Sequence, residues 1–294
     1  MSVEQRDPHS GYLTTGHEWN GITELNTPVP RPVYLFLILT FVFSVAYWVL
    51  MPAWPLGSDY TKGLLQANDR AAVARAVEQA AAVRSAWTSQ IAAQSFADIE
   101  ADPRLMADVR RTGRTLFGDN CAACHGRDAK GTKGFPDLTT ASWLWGGSPE
   151  AISETIRVGV NASHPDTRVS QMPAFGRDGI LKRDEMESVV AYVLSLSAPP
   201  PAGNKVAAEK VAAGKAVFAA NCVACHGTEA KGNPELGAPD LTDMHWIHGS
   251  DENAIYANVW GGLKGQMPSW EGRLTPVERK ILALYLIDLR AKRP

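Results

Sequence analysis

The chain has 294 residues, 45% apolar and 20% charged, enough for about two packed domains without disulfide staples. A net charge of −2, from 31 acidic against 29 basic residues, lacks the basic stripe that nucleic-acid binding requires, so no nucleic-acid partner is expected. Four cysteines arranged as two C-x-x-C pairs do not form a secreted disulfide framework.

The first element that decides something follows a polar segment, residues 1–32. From 33 to 50 the sequence VYLFLILTFVFSVAYWVL carries no charge, and Met51 extends the run. At 1.5 Å per residue this covers roughly the ~30 Å hydrocarbon core of a bilayer. Pro28, Pro30 and Pro32 suit an extended approach and a helix start, and Tyr34 and Trp54 lie where interfacial aromatics belong. The long lead-in and Met51-Pro52-Ala53-Trp54 do not fit a cleaved signal peptide. Residues 33–51 are therefore expected to be a single membrane anchor in a lipid bilayer. Arg6 and Arg31 on one side balance Lys62 and Arg70 on the other, so charge alone leaves the orientation tied.

Residues 66–100 are Ala-rich, with Val73, Val77, Ala80, Trp87 and Ile91 at helical spacing. They predict one long helix in a spacer segment, 52–104. The chain then repeats itself. GRTLFGDNCAACHG (113–126) aligns with GKAVFAANCVACHG (214–227) at a constant offset of 101 residues. Further on, Pro136 matches Pro239, Trp143 matches Trp246, QMPAF (171–175) matches QMPSW (266–270), and VVAYVLSL matches ILALYLIDL. A Pro-rich linker, 198–204, separates two units at 105–197 and 205–294. Ser148-Pro149 predicts a capped helix start, Ser250 its equivalent, and Thr275-x-x-Glu278 a capping box. No stretch alternates with period two. The expected fold is mainly α: one N-terminal transmembrane helix plus two tandem helical domains.

All four cysteines fall in CAACHG and CVACHG. A shared zinc site would need knuckles from two repeats, and two cysteines with one adjacent histidine make a poor tetrahedral set. A thioredoxin-type dithiol would need a βαβ setting that is missing. C-x-x-C-H is the attachment pattern of covalent c-type heme. Cysteines three apart on a helical turn project to one side, where Cys121 with Cys124, and Cys222 with Cys225, can form thioethers to the two vinyl groups of one heme. His125 and His226 then lie under the iron as proximal ligands. Two copies in register imply two covalently bound heme c groups.

Each unit also carries one methionine in a Gln-Met-Pro motif, Met172 and Met267. Thioether sulfur is a soft donor that favours ferrous iron and raises the potential. These two are the expected sixth ligands. Closure within each unit is the preferred assignment, and exchange, with Met172 reaching the second heme and Met267 the first, stays open. His164, His245 and His248 have no counterparts between the copies and are expected at the surface or beside the ligands. The carbonyls at Pro136 and Pro239 are placed to accept the imidazole Nδ1–H. Met186 reads as core.

The whole pattern resembles the cytochrome c domain, twice over. That resemblance implies Phe117 packed near Tyr192 and Phe218 near Tyr285. Heme c is attached on the oxidising side of the membrane, so residues 52–294 are expected in the periplasm and 1–32 in the cytoplasm, on a bacterial inner membrane. TTGHEWNGITELNTPVPRP (14–32), one apolar helix and MPAWPL (51–56) resemble the diheme P subunit (subunit III) of cbb3-type cytochrome c oxidases. The resemblance implies a non-catalytic subunit taking electrons from a cytochrome c donor toward the monoheme cytochrome c subunit and the heme–copper catalytic subunit, where oxygen is reduced and protons are pumped. The rival readings are the diheme subunit of another respiratory dehydrogenase or reductase, and a diheme peroxidase-like enzyme with one open iron.

Overall fold

A computed structural model describes residues 5–199, 201 and 203–292. Residues 1–4 of the N-terminal segment, Pro200 and Ala202 of the linker, and 293–294 of the second repeat lie outside the described residues. The chain divides at Val83–Arg84 into two compact units.

The first unit opens with an antiparallel hairpin that the sequence reading did not anticipate, β1 (Thr14–Trp19) and β2 (Ile22–Leu25), with Trp19 opposite Ile22. Its strands are almost wholly exposed, so no alternating apolar pattern marks them. The turn makes the hairpin instead: Asn20 and Gly21 hold φ at 51° and 86°, the left-handed pair that a two-residue loop requires. Helix α1 (Arg31–Leu50) follows, with Pro32 in its first turn and no buried residue. It is apolar on every face, and it is long and apolar enough to cross a membrane. Its last carbonyls are satisfied by a returning loop, in which Leu64 and Leu65 donate their N–H groups to Val49 and Leu50 at 2.9 and 3.0 Å.

Helix α2 (Asp69–Ala93) begins in the first unit and ends in the second. The single helix expected over 66–100 is broken: Ser95 caps a short α3 (Phe96–Ala101), and Asp102 caps α4 (Pro103–Asn120), with Pro103 in its first turn. Nor is this stretch only a spacer. Ile91 and Ile99 are fully buried, and Trp87 and Phe96 pack against the same core.

The remaining elements are helical: α5 (Ala122–His125), α6 (Pro149–Val158), α7 (Arg183–Ser195), α8 (Lys205–Asn221), α9 (Val223–His226), α10 (Glu252–Gly261) and α11 (Pro276–Ala291). Ser148 caps α6 and the Thr275–Glu278 capping box opens α11, as the sequence implies. The cap of α10 is Asp251, whose carboxylate accepts from the Ala254 N–H, rather than Ser250.

These helices form two cores, and each core draws on both repeats. In one, Val109 and Phe117 of α4 and Ile152 and Ile156 of α6 pack with Leu274 and with Ile281, Leu282, Tyr285 and Leu286 of α11. In the other, Val189, Val190, Tyr192 and Val193 of α7 pack with Phe218 of α8 and Ile255 and Val259 of α10. The repeats have exchanged their C-terminal halves: α4 and α6 lie on α11, and α8 and α10 lie on α7.

Two glycines permit the crossings. A Cβ on Gly113 would lie 2.6 Å from Tyr285 Cβ, and one on Gly214 would run into the Ser188 carbonyl and Tyr192. The aromatic pairs are accordingly Phe117–Tyr285, with centroids 6.0 Å apart, and Phe218–Tyr192 at 5.2 Å. This corrects the expected pairs, Phe117–Tyr192 and Phe218–Tyr285. The reason is physical: each C-terminal helix carries an equivalent aromatic, so either partner fills the site. Burying each phenylalanine contributes about 1.5–3 kcal/mol whichever helix covers it.

Candidate heme-binding sites

Each site begins where an N-terminal helix runs out. The Cys121 N–H still bonds to the Phe117 carbonyl at 2.8 Å, and the chain makes one further turn, α5, which brings the His125 N–H to the Cys121 carbonyl at 3.0 Å. Gly126, at φ 73°, ends that turn. The second site repeats these contacts at Cys222 (2.8 Å), His226 (2.9 Å) and Gly227 (φ 76°). Cys124 and Cys225 are exposed, while Cys121 and Cys222 are half-buried, so each pair runs from the core to the surface.

Both histidines are oriented by a carbonyl. His125 Nδ1 lies 3.1 Å from the Pro136 oxygen and His226 Nδ1 lies 3.1 Å from the Pro239 oxygen, the partners expected from the sequence. A carbonyl only accepts, so Nδ1 carries the hydrogen and Nε2 keeps its lone pair for a metal. Burial lowers the pKa of both imidazoles, partly opposed by these hydrogen bonds, which favours the neutral ligand form. Burial, with the neighbouring cysteine adding to it, pushes the Cys121 and Cys222 thiols up to about 11, unlike the low-pKa thiolates of redox dithiols. Among the described residues no group of three or more His, Cys, Asp or Glu is placed to hold a metal ion. This donor set, two thiols and a pre-oriented imidazole beside an apolar core, fits heme c.

The methionines lie on the far side of the exchange. Met267 packs against the core that holds Phe117 and Cys121, and Met172 against the core that holds Phe218 and Cys222. Each is fixed by a two-bond bridge to the other repeat. Met267 and Val160 exchange N–H···O bonds of 2.9 Å each, and Met172 and Leu263 exchange bonds of 2.8 and 3.1 Å. Gly159 and Gly262, at φ 70° and 68°, end α6 and α10 where a Cβ would strike the Met267 and Met172 carbonyls. The packing thus sets Met267 against the core of the first hexapeptide and Met172 against that of the second, the exchanged arrangement that the sequence left open.

Polar contacts between the repeats surround these bridges. Arg157 binds Glu154, Asp166 and, across the repeats, Glu271 at 3.1 Å. His164 Nε2 also meets Glu271, at 2.7 Å, with its side chain only 10% exposed. His164 therefore joins the repeats rather than sitting free on the surface. His245 is exposed. His248 is half-buried, and burial, with Lys133 nearby, lowers its pKa. Met186 is core, at 4% exposure. Sequence reasoning missed Arg110, which grips Asp288 of α11 at 2.9 Å; an Arg and an Asp with no counterparts at the matching positions were its only signal.

Comparison with known proteins agrees with this architecture. Residues 11–58 match the N-terminal domain of cytochrome oxidase-cbb3, FixP; residues 111–197 match cytochrome c; and residues 209–286 match cytochrome c oxidase, cbb3-type, subunit III. The chain is 49% identical over 283 residues to the cbb3-type cytochrome c oxidase subunit FixP of Bradyrhizobium sp. (strain ORS 278), covering 96% of each chain. It is 47% identical to the FixP subunit of Bradyrhizobium diazoefficiens, again over 96% of each. With the CcoP subunit of Azospirillum brasilense the identity is 41%, over 98% of this chain and 99% of that one.

Proposed function

Because the chain belongs to the FixP/CcoP family of cbb3-type cytochrome c oxidase subunits, a cytochrome c electron-transfer subunit, we propose that it is the diheme electron-entry subunit of such an oxidase. It takes electrons from a cytochrome c donor and passes them toward the monoheme and heme–copper subunits, without a catalytic site of its own. One heme c would be held by Cys121 and Cys124, with His125 and Met267 as its iron ligands. The other would be held by Cys222 and Cys225, with His226 and Met172.

The observation that supports this reading is the matched pair of sites, each with a carbonyl-oriented histidine after its C-x-x-C pair and a methionine, pinned by a backbone bridge, on the same core as the first cysteine. When bound, heme c supplies a one-electron ferric/ferrous couple. The chain's own residues do the rest. The histidines hold their neutral tautomer, the thioether sulfurs favour the reduced state, and the apolar cores keep water from both faces. With a histidine and a methionine committed to each heme, the chain would leave no position free for oxygen or peroxide. Helix α1 anchors the subunit in the bacterial inner membrane, and because heme c is attached on the oxidising side, residues 52–292 lie in the periplasm and residues 5–32 in the cytoplasm.

Pyridine hemochrome analysis of the purified full chain tests the assignment, with two covalent hemes expected and none overturning it. Carbon monoxide should not bind the reduced protein; strong binding would favour a peroxidase-like enzyme. Purification of the tagged chain from its membrane should bring a copper-containing oxidase with it, and a copper-free dehydrogenase in its place would contradict the reading.

A further inference from the structure

One asparagine touches both methionine loops. Asn161 Nδ2 donates to the Ser170 carbonyl at 2.8 Å and to the Gly265 carbonyl at 2.7 Å, and its Oδ1 accepts from the Ser170 N–H at 3.2 Å. An amide nitrogen carries two hydrogens and a carbonyl only accepts, so these partners leave one orientation for the side chain. Ser170 stands two residues before Met172, and Gly265 two residues before Met267. Two residues of chain span at most about 7 Å, so each bond acts close to the backbone of a methionine.

The backbone suits this residue. Asn161 holds φ at 48°, in the left-handed region that asparagine tolerates better than most residues with a side chain. It follows Val160, which pairs with Met267, while Leu263 pairs with Met172. Each of those bridges pins one methionine loop, and Asn161 ties the two pinned loops to each other. The device is not part of the duplication. Matching Gly159 with Gly262 and Val160 with Leu263 sets Asn161 against Lys264, an exposed residue.

We propose that Asn161 is a positioning residue for both hemes: its amide holds the Met172 and Met267 loops in place together, and its loss loosens both sulfurs at once. This rests on the reading of the two methionines as iron ligands, and it holds for either pairing of methionine with heme. Thioether sulfur is a soft donor that favours ferrous iron, so on ferric iron its place depends most on the loop that carries it. One neutral hydrogen bond lost per loop changes how often that loop opens by about fivefold.

The test uses the full chain with its hemes attached, in detergent, comparing Asn161→Gly, Asn161→Asp and Lys264→Ala with the parent. Hemochrome counts and the methionine–iron charge-transfer band come first; a parent with fewer than two hemes, or without the band, would sink the heme assignment rather than this proposal. Imidazole is then titrated into the oxidised protein and loss of the band followed. Cys222→Ser with Cys225→Ser, or Cys121→Ser with Cys124→Ser, leaves one heme to follow at a time. Asn161→Gly keeps the left-handed backbone and removes the amide, and should raise the apparent imidazole affinity about fivefold at each heme. Asn161→Asp keeps the side-chain shape and the Ser170 N–H bond but donates to neither carbonyl, and should do at least as much. Lys264→Ala should leave both hemes at the parent value. If Asn161→Gly loses heme, Asn161→Asp carries the comparison. An affinity unmoved in variants that keep their heme, an effect at one heme alone, or Asn161→Asp behaving as the parent would overturn the proposal.

Discussion

Tyr285, near the end of the chain, packs its ring 6.0 Å from Phe117 in the first repeat, over a glycine that leaves no room for a methyl group. The same relationship joins Tyr192 to Phe218 in the opposite direction. Two crossings of this kind make one interlocked body from two copies of a repeat.

Gly113→Ala places its methyl against Tyr285 and should destabilise the fold by about 1–3 kcal/mol, as overpacking does. For a body of this size that is a fall in melting temperature of about 2–4 °C per kcal/mol. Truncating Tyr285 to Ala removes the Cγ and Cδ2 that the methyl meets, so it should cost less in the Gly113→Ala chain than in the parent, whereas Tyr192→Ala should cost the same in both. Calorimetry on the parent, the single variants and the double variants measures the coupling.

Interlocking also predicts what happens when the chain is cut. A protease site introduced between Pro201 and Asn204, and cleaved after heme attachment, should leave two fragments that co-elute in gel filtration. Each core loses a helix if they part. Self-contained domains would separate.

Acid should loosen the crossing through Asp288 and Glu271. Arg110, Lys292 and Tyr285 face Asp288; burial pushes its carboxyl up, but the Arg110 and Lys292 bonds outweigh it and hold the group below its ordinary value. Glu271 is lowered by its bonds to His164 and Arg157. A carboxyl whose folded pKa is depressed stabilises above its unfolded pKa, and that stability is lost as pH falls through the folded value. Melting temperature should therefore be insensitive to these groups down to about pH 4 and fall below it. Asp288→Asn should lower stability at pH 7 by about 1.5 kcal/mol and flatten the acid limb. An acid limb as steep as the parent's would refute the role of Asp288.

What the sequence made legible was local. The two hexapeptides, the carbonyls at Pro136 and Pro239, the caps at Ser148 and Thr275, and the apolar helix before Met51 all depend on residues close in the chain. The break before Phe96 was written in Ser95-x-x-Asp98 and Asp102-Pro103, and the hairpin in Asn20-Gly21, which a search for alternating apolar residues passes over. The exchange was hidden for a different reason. Duplication gives both C-terminal helices an aromatic that fits either glycine, so the apolar pattern is degenerate. The contacts particular to the crossed arrangement, Arg110–Asp288 and Arg157–Glu271, are ordinary charges until the partners are seen together.

The most direct test of the account asks which methionine serves which heme. In a chain carrying Cys222→Ser and Cys225→Ser, only the first heme remains, and its methionine–iron charge-transfer band can be followed alone. Crossed closure predicts that Met267→Ala abolishes the band and Met172→Ala leaves it intact. A band lost with Met172→Ala and kept with Met267→Ala would contradict it.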